Sequence, residues 1–556
     1  MKAGRWFRFG FLLAGLCLTA CARKELVPER VPELLSVRVS ENELVLPAQE
    51  SATFTFKVQD ADYSFNYDVN SSTCQVSLMG PGGTKPSVFS LVEVVPGEEA
   101  GTYSARVKDN GKAEVYEQEV SLAVAKKATY NSVPSYVTSS YFRVRSEAQN
   151  APPGLEYLET GLPVVYVNTE KGQRITSKTE FVTASLQIRG TDASQDVENL
   201  SCSVRGRGNT TWWWPKKPYL IRLDQKEHLF GMHKHKRWIL LANFLDRTLM
   251  RNQVSMKVSS FTSLAWTPGC IPVELVLNGK HQGTYLFIEQ VRVDNHRVAV
   301  TEMTPEDNEG EALTGGYLLE SDFHYDNEVQ WMDPHGGCVQ FGAQGGIPFG
   351  VKFPDPEDLT AQQLAYIKQY IYDTAEALYG PDFADPEKGY AQYLDVNSFV
   401  DYWLVFEIMG NHELGNPGSV FYHKDRGGKL VAGPCWDFDW GVLSYRTSPQ
   451  ARTGLLNRNA VWYKRLFDDP AFRERVKARF QELLPQLQTI PAYIDACEEQ
   501  LEKSAQLNFK MWNPAEDASM NGGSIINGDE NMTFKQAVER LRNTYIERLK
   551  VIENNL

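Results

Sequence analysis

Apolar and polar side chains alternate along the chain from about residue 36 to residue 126. In the run 53–58, for example, every second position is apolar. A period of two is that of a β-strand with one face in a core. Turn signals at 80–83 and 109–111 separate such runs. We therefore predict a β-sandwich of immunoglobulin-like style over residues 36–126, with a spacer role favoured over ligand binding.

After residue 153 the pattern becomes mixed. Apolar runs predict strands at 164–167, 184–188, 219–223 and 238–241, and the turn dipeptide Asn278-Gly279 predicts a hairpin over 274–288. Further along, apolar residues recur every three to four positions, which predicts helices at 361–379, 396–409, 470–487 and 534–552. Thr533 and Gln536 predict a capping box for the last helix. Strands first and helices later is typical of an α+β fold, here a bilobal domain over residues 153–556.

The first 21 residues have the pattern of a targeting signal. Basic residues precede an apolar run at 9–18 that is too short to span a bilayer, and the stretch ends in Ala20-Cys21. We predict a bacterial lipoprotein signal peptide over 1–21, with a lipid on Cys21 that anchors the protein to a membrane of the cell envelope. The membrane face, periplasmic or surface-exposed, stays open, and an ordinary secretory signal is the alternative. Residues 22–35 and 127–152 are expected to be linkers.

Length, charge and cysteine spacing limit the function classes. A chain of 556 residues is too long for one core, so two or three domains are expected. A net charge of −13 argues against a nucleic-acid partner, which would require a basic surface. The cysteines after Cys21 are spread singly, which excludes a zinc-ribbon-like site and leaves disulfide pairing open.

The residues 411–441 hold the clearest chemical signal. Asp437 and Asp439 flank Phe438, and upstream Asn411, Glu413 and Asn416 lie in a polar loop directly after a predicted helix. Helix, polar loop, hairpin and acidic turn in this order are typical of a kinase-like site, which gathers metal ligands and a base beside a nucleoside triphosphate. The alternative is a β-turn in which the carboxylates cap backbone amides.

A second candidate segment runs from residue 205 to residue 219. Arg205 and Arg207 alternate with glycines, and Lys216 and Lys217 precede a predicted strand. Glycines let backbone amides approach phosphate oxygens, and cationic side chains add charge-assisted hydrogen bonds. Two alternatives stay open: a connecting turn in which the arginines pair with local acids, and a tryptophan platform at 212–214 for stacking on sugar rings.

Several further charged residues have more than one interpretation. Glu320 and Asp322 end a predicted strand, where they are candidates for an interlobe hinge or structural acids. Glu289, at the end of the predicted hairpin, is a candidate for the nucleotide side of an interlobe hinge or a structural acid satisfied by its neighbours. Asp246 and Arg251 are five residues apart at a predicted helix start, where an internal salt bridge is the simplest interpretation.

Several segments follow one another in the order of the CotH kinase family, named for spore coat protein H. They are RGRGNTTWWWPKKPYLIRL, KRWILLANFLDRTLMRN, GTYLFIEQVRVD, GGYLLESD and GPCWDFDWG. The chain resembles this family over about residues 160–550. The resemblance implies a divergent kinase-like fold that transfers the γ-phosphoryl group of ATP to Ser or Thr of secreted or surface proteins.

The resemblance also implies roles for individual residues. Asp437 and Asp439, with Asn416 nearby, would hold Mg²⁺ or Mn²⁺, so Asp437 is a catalytic residue as well as a metal ligand. Glu413 would orient or deprotonate the acceptor hydroxyl. The phosphates and the nucleotide would be contacted by Arg205, Arg207 and one of Lys216 and Lys217.

The chain departs from the family pattern in the polar loop. Active relatives have Asp in this loop and Asn before the next strand, whereas this chain has Glu413 and Ser419 at the approximate places. The extra methylene of Glu displaces the carboxylate by about 1.5 Å, in a reaction that depends on positioning. A second hypothesis is therefore a non-catalytic surface lipoprotein that binds a glycan or an envelope protein through the same scaffold.

Overall fold

The structure, a computed structural model, describes residues 156–556 with gaps at 324–328, 341–342, 513 and 515–526. Before residue 156 it describes only the backbone of the strands. The predicted signal peptide 1–21, its Cys21 and the expected linker 22–35 lie outside the described residues. The chain divides into two compact units, Met1–Ala151 and Pro152–Leu556.

The described part of the first unit consists of β-strands in three sheets. The sheets have the orders β1-β2-β10, β5-β4-β3-β9 and β6-β7-β8. Their strands are β1 (Arg38–Ser40), β2 (Glu43–Leu46), β3 (Ser51–Val58), β4 (Ala61–Val69), β5 (Cys74–Met79), β6 (Phe89–Pro96), β7 (Tyr103–Asp109), β8 (Val115–Gln118), β9 (Val124–Ala125) and β10 (Arg143–Ser146). Strand β10 pairs with β2 and lies in the stretch expected to be a linker. The immunoglobulin-like style of this unit stays a prediction.

The second unit begins with a closed seven-stranded barrel of order β11-β12-β13-β14-β15-β17-β16. Its strands are β11 (Val164–Thr169), β12 (Val182–Arg189), β13 (Val197–Gly206), β14 (Tyr219–Glu227), β15 (His235–Leu241), β16 (Cys270–Leu277) and β17 (Lys280–Glu289). The expected strands and the hairpin at Asn278-Gly279 are confirmed. Closure of the barrel was not predicted. It results from parallel pairing of β11 with β16, in which Val164 lies opposite Glu274.

A five-stranded sheet follows, with the order β19-β20-β18-β21-β22. Its strands are β18 (Tyr317–Ser321), β19 (Gln330–Gln340), β20 (Ala343–Phe353), β21 (Val420–Lys424) and β22 (Leu430–Ala432). The central strand β18 pairs with β21, and this pairing places Ser321 opposite Val420. The segment that follows β18 and the loop that leads into β21 therefore lie side by side.

The α-helices are α1 (Thr210–Trp213), α2 (Arg251–Ser259), α3 (Gly310–Leu313), α4 (Ala361–Tyr379), α5 (Val396–Ile408), α6 (Tyr463–Leu466), α7 (Pro470–Leu487), α8 (Ile490–Met511) and α9 (Phe534–Asn555). The four long helices expected from periodicity are confirmed as α4, α5, α7 and α9, and α9 has the expected capping box. Helix α8 was not predicted. The mixed α+β class is confirmed.

Two hydrophobic cores share the strands of the barrel. Trp238 and Phe287 point to the barrel interior, where they stack with ring centroids 5.4 Å apart. Their neighbours Ile239 and Ile288 belong instead to the large core around α5, a helix in which every residue from 398 to 408 is buried. Successive side chains of a strand point to opposite faces. The barrel interior and the large core are therefore two separate apolar clusters on opposite faces of the same strands.

In the part of the chain that the structure describes, no helix is long and apolar enough to cross a bilayer. Cys202, Cys270, Cys435 and Cys497 are free thiols.

Candidate functional site

Three chain segments meet at one end of the five-stranded sheet. The acidic turn 437–441 follows β22, the polar loop 411–419 connects α5 to β21, and Asp322 directly follows β18. The backbone N–H of Ser419 donates to Asp322 Oδ2 at 3.0 Å, which joins the polar loop to the end of β18. The pairing of β18 with β21 thus determines which acids come together.

Glu413 lies in the field of three other carboxylates. Burial raises the pKa of Glu413 well above its usual range, and nearby negative charges raise it further. These charges belong to Asp437, Asp439 and Asp322. The Oε2 atom of Glu413 is buried and, among the described residues, has no hydrogen-bond partner. A buried carboxylate oxygen in this position requires a proton or a cation.

The acidic turn itself is held in an uncommon conformation. Asp437 has φ of 64°, in the left-handed region that residues other than glycine rarely adopt. Phe438 is fully buried and contacts Phe406 of α5, with ring centroids 4.8 Å apart, whereas Asp437 and Asp439 are only partly buried. Burial and the adjacent charge of Asp437 raise the pKa of Asp439 well above its usual range. The two carboxyl groups are therefore close together, and ionisation of both is unfavourable without a cation.

Arg207 is a cation that lies close to these acids. Burial lowers the pKa of Arg207, and the charges of Asp437, Asp439 and Glu320 oppose this effect. The guanidinium carbon lies 5.6 Å from the ring centroid of Trp436, the residue before Asp437. An arginine beside clustered acids can receive a phosphate group whose counterion the acids hold.

Arg205 and Lys216 have other surroundings. The Arg205 guanidinium lies 5.2 Å from the ring centroid of Phe181. Lys216 donates to the carbonyl of Thr284 and, at 2.8 Å, to Asn508 Oδ1 of α8, and burial lowers its pKa to about 7. Arg205 therefore lies on the outside of the barrel, and Lys216 lies where the barrel packs against α8.

Lys217, Glu289 and Asn416 are the remaining candidate residues, and each has its own surroundings. Lys217 is buried and donates to the carbonyl of Trp212 at 2.6 Å. Glu289 accepts the Gly269 N–H at 2.9 Å and lies 3.5 Å from Arg297 Nε, surroundings that match its structural interpretation. Asn416 is exposed in the polar loop, close in sequence to Glu413.

The first arginine–glycine turn and the tryptophans pack together. A Cβ atom at residue 206 would lie 2.3 Å from the indole of Trp212, so glycine is required there for packing. Trp212 belongs to the barrel core, and Trp214 packs against Phe244 and Leu245. Neither side chain therefore contributes to an open stacking platform.

Asp246 and Arg251 form the expected salt bridge, which the structure extends to Asp529 at 2.7 Å from Arg251 Nη2. Asp322 is one of the strand-end acids that had a functional and a structural interpretation, and the structure places it beside the polar loop. Two site residues were missed. Asn252 and Asn527, which contact the acidic turn, had no sequence signal, because their partners lie far away in sequence.

The carboxyl groups of the site can be compared with the ligands that a divalent cation requires. Within the described ranges, no three His, Cys, Asp or Glu side chains are placed to hold a metal ion by themselves. Magnesium in phosphoryl-transfer sites is usually bound by one or two carboxylates together with substrate phosphates. The unpartnered Oε2 of Glu413 and the adjacent carboxyl groups of Asp437 and Asp439 provide hard oxygen ligands of that kind, so the residues fit such an ion.

The fold and these residues define a mixed α+β protein whose site pairs clustered carboxylates with an arginine. The family model described as CotH kinase protein matches residues 204–552, more than half of the chain. The chain therefore belongs to the CotH kinase family and is kinase-like. A search of curated proteins gave no match.

Proposed function

We propose that this protein is an atypical protein kinase of the CotH type. It transfers the γ-phosphoryl group of ATP to a Ser or Thr hydroxyl of a secreted or surface protein. The observation that carries the proposal is the meeting of Glu413, Asp437 and Asp439 with Arg207 at one end of the sheet. Acids for a metal ion, a base and a cation for phosphate are the parts that phosphoryl transfer requires.

Asp437 and Asp439 would hold Mg²⁺ or Mn²⁺, with Asn416 as a further ligand. Such an ion neutralises phosphate charge when it is bound. Arg207 binds the phosphates from the protein side, and the structure favours it over Lys216 because Lys216 is committed to Thr284 and Asn508. Arg205 lies beside Phe181 and Lys217 donates to the Trp212 carbonyl, so neither is assigned a contact with the nucleotide.

Glu413 acts on the acceptor. The hydroxyl oxygen of the substrate forms the new bond to the γ-phosphorus, the bond to the β-phosphate oxygen breaks, ADP leaves, and the hydroxyl proton passes to Glu413. Glu413 can accept this proton when it is ionised, which requires a cation near Asp437 and Asp439 to offset the charges that raise the pKa of Glu413.

The alternative of a binding protein without catalysis depended on a tryptophan platform and on the departures at Glu413 and Ser419. Burial of Trp212 and Trp214 removes the described side chains from that platform. Because Glu413 and Ser419 depart from the family pattern, phosphate transfer is measured directly.

We further propose that the protein is anchored in the bacterial cell envelope by a lipid on Cys21. Cys21→Ser should abolish incorporation of a labelled fatty acid and release the protein from the membrane fraction. Unchanged labelling would contradict the anchor.

Calorimetric titration with ATP, with and without Mg²⁺ or Mn²⁺, tests the kinase proposal. We expect metal-dependent binding that Asp437→Ala abolishes and that the exposed control Asp358→Ala retains. Folded wild-type protein that binds no ATP with either metal would contradict the proposal. Phosphate transfer to a generic acceptor protein is then measured for wild type and Glu413→Gln.

A further inference from the structure

The backbone of the acidic turn is hydrogen-bonded by three buried asparagine side chains. Asn252, Asn411 and Asn527 are 1%, 0% and 0% exposed. Asn252 lies at the start of α2, Asn411 in the loop after α5, and Asn527 before α9. We call these three residues the asparagine clamp.

The clamp contacts nearly every residue of the turn. Asn411 Nδ2 donates to the Asp437 carbonyl at 3.3 Å, and Asn252 Oδ1 accepts the Phe438 N–H at 2.7 Å. Asn527 makes two contacts, since its Nδ2 donates to the Asp439 carbonyl at 3.0 Å and its Oδ1 accepts the Gly441 N–H at 2.9 Å. A side-chain amide both donates and accepts, so it can serve either kind of backbone group.

The turn needs such support because of its backbone conformation. Asp437 is held in the left-handed region, which is unfavourable for a residue with a Cβ atom. Without fixed partners for its backbone, the turn would relax to an ordinary conformation, and the two carboxyl groups would lose their present relative position.

Asn411 also connects the turn to the polar loop. Its Oδ1 accepts the Glu413 N–H at 2.8 Å, while its Nδ2 donates to Asp437. The Asn411 carbonyl in turn accepts from Asn457 Nδ2 at 2.9 Å, and the Asn457 N–H donates to Glu407 of α5 at 2.8 Å. One amide therefore sets the spacing between Glu413 and Asp437, and α5 anchors it.

We propose that Asn252, Asn411 and Asn527 are positioning residues that hold Asp437 and Asp439 in the geometry required to bind a divalent cation. This inference rests on the proposed function, because it assigns the metal ion to these two acids. It goes further by naming three residues from remote segments that act through the backbone and never touch the ion.

The test is calorimetric titration of the full-length protein with ATP in excess Mn²⁺, compared with the same titration without metal. Asn252→Ala removes the acceptor for Phe438 N–H, whereas Asn252→Asp keeps an oxygen there. We expect Asn252→Ala to weaken Mn²⁺-dependent binding of ATP at least tenfold, and Asn252→Asp to restore most of the affinity. Gln363→Ala is the matched control, since Gln363 is an equally buried amide whose contacts are to Thr304, Thr360 and Asp307.

A role confined to stability would lower the melting temperature of Asn252→Ala and leave its affinity for ATP with Mn²⁺ equal to that of Gln363→Ala, which would overturn the clamp. Equal losses in Asn252→Ala and Asn252→Asp would also overturn it. If Asn252→Ala does not fold, Asn411→Asp decides, because it keeps the acceptor for Glu413 and loses the donor to Asp437. Folded wild type that binds no ATP with Mn²⁺ would overturn the proposed function itself, a result distinct from unchanged affinity in the variants.

Discussion

Arg205 and Arg207 show how one strand end separates two similar residues. Residues two apart on a strand point to the same face. Strand β13, however, ends at Gly206, and Gly208 continues the chain with φ of 84°. Arg207 thereby leaves the sheet and reaches the acids, whereas Arg205 stays beside Phe181.

Arg207→Ala should weaken binding of ATP with Mg²⁺ about tenfold or more, because a hydrogen bond to a charged group contributes about 1.5–3 kcal/mol. Arg205→Ala is the matched control and should change the affinity less than about twofold. Calorimetric titration of both variants measures the difference. Equal losses would show that the two arginines do not differ in function.

Lys216 is a buried cation whose partners are neutral oxygens. Burial lowers its pKa to about 7, compared with about 10.4 for an unfolded chain. Between these values the unfolded chain binds more protons than the folded one, so this group makes the free energy of unfolding rise with pH. Below about pH 7 the cost of burying the charged ammonium is fully present.

Comparison with Lys216→Met isolates this effect. The free energy of unfolding of wild type minus that of the variant should increase from pH 7 to pH 10, by at most about 1.4 kcal/mol per pH unit. Urea denaturation across this range provides the measurement. Lys477→Met, an exposed lysine of α7, should give a curve parallel to wild type. A parallel curve for Lys216→Met would contradict the lowered pKa.

At the scale of elements, helices α5 and α9 and the loop before α6 are joined by one buried ion pair. Arg548 of α9 pairs with Glu407 of α5, and both side chains are fully buried. Glu407 also accepts the N–H groups of Leu456 at 2.6 Å and Asn457 at 2.8 Å. Because Asn457 holds Asn411, this pair supports the polar loop of the site.

Arg548→Met should lower the free energy of unfolding by about 3–5 kcal/mol, because it leaves a buried carboxylate without its partner. Arg542→Met, on the same helix, removes an ion pair with the exposed Asp495 and should cost less than about 1 kcal/mol. Urea denaturation compares the two variants. Similar small losses in both would show that Glu407 is satisfied by its backbone donors alone.

At the scale of the whole molecule, the unit Pro152–Leu556 contains a barrel and a helical part that share strands β14, β15 and β17. Each of these strands contributes side chains to both cores. The candidate site lies where the five-stranded sheet, α5 and α2 meet. Shared strands imply that the two parts cannot unfold independently.

A protein consisting of residues 152–556 should therefore unfold in one cooperative transition. Far-ultraviolet circular dichroism and tryptophan fluorescence, recorded in the same urea titration, should give coincident curves. This protein should also bind ATP with Mg²⁺ as the full-length chain does. Two separate transitions would contradict the expectation that parts sharing strands unfold together.

Much of the secondary structure was predictable, because its signals are local. The period of α4 and α7 and the capping box of α9 involve residues within a few positions of each other, and Asn278-Gly279 specifies a turn by its own backbone preferences. The α+β class followed from the order of such elements. The acids at 437 and 439 were also visible, since their spacing and flanking segments match a family pattern.

The sequence by itself thus determined most of the long elements, the α+β class and the family. Only the tertiary structure decided barrel closure, the burial of Lys216, the approach of Arg207 to the acids and the asparagine clamp. Each of these depends on contacts between remote positions, as when Val164 pairs opposite Glu274 or Asn252 accepts from Phe438. The sequence pattern around a buried asparagine does not indicate its hydrogen-bond partner, because that partner is whichever backbone group the fold places beside it.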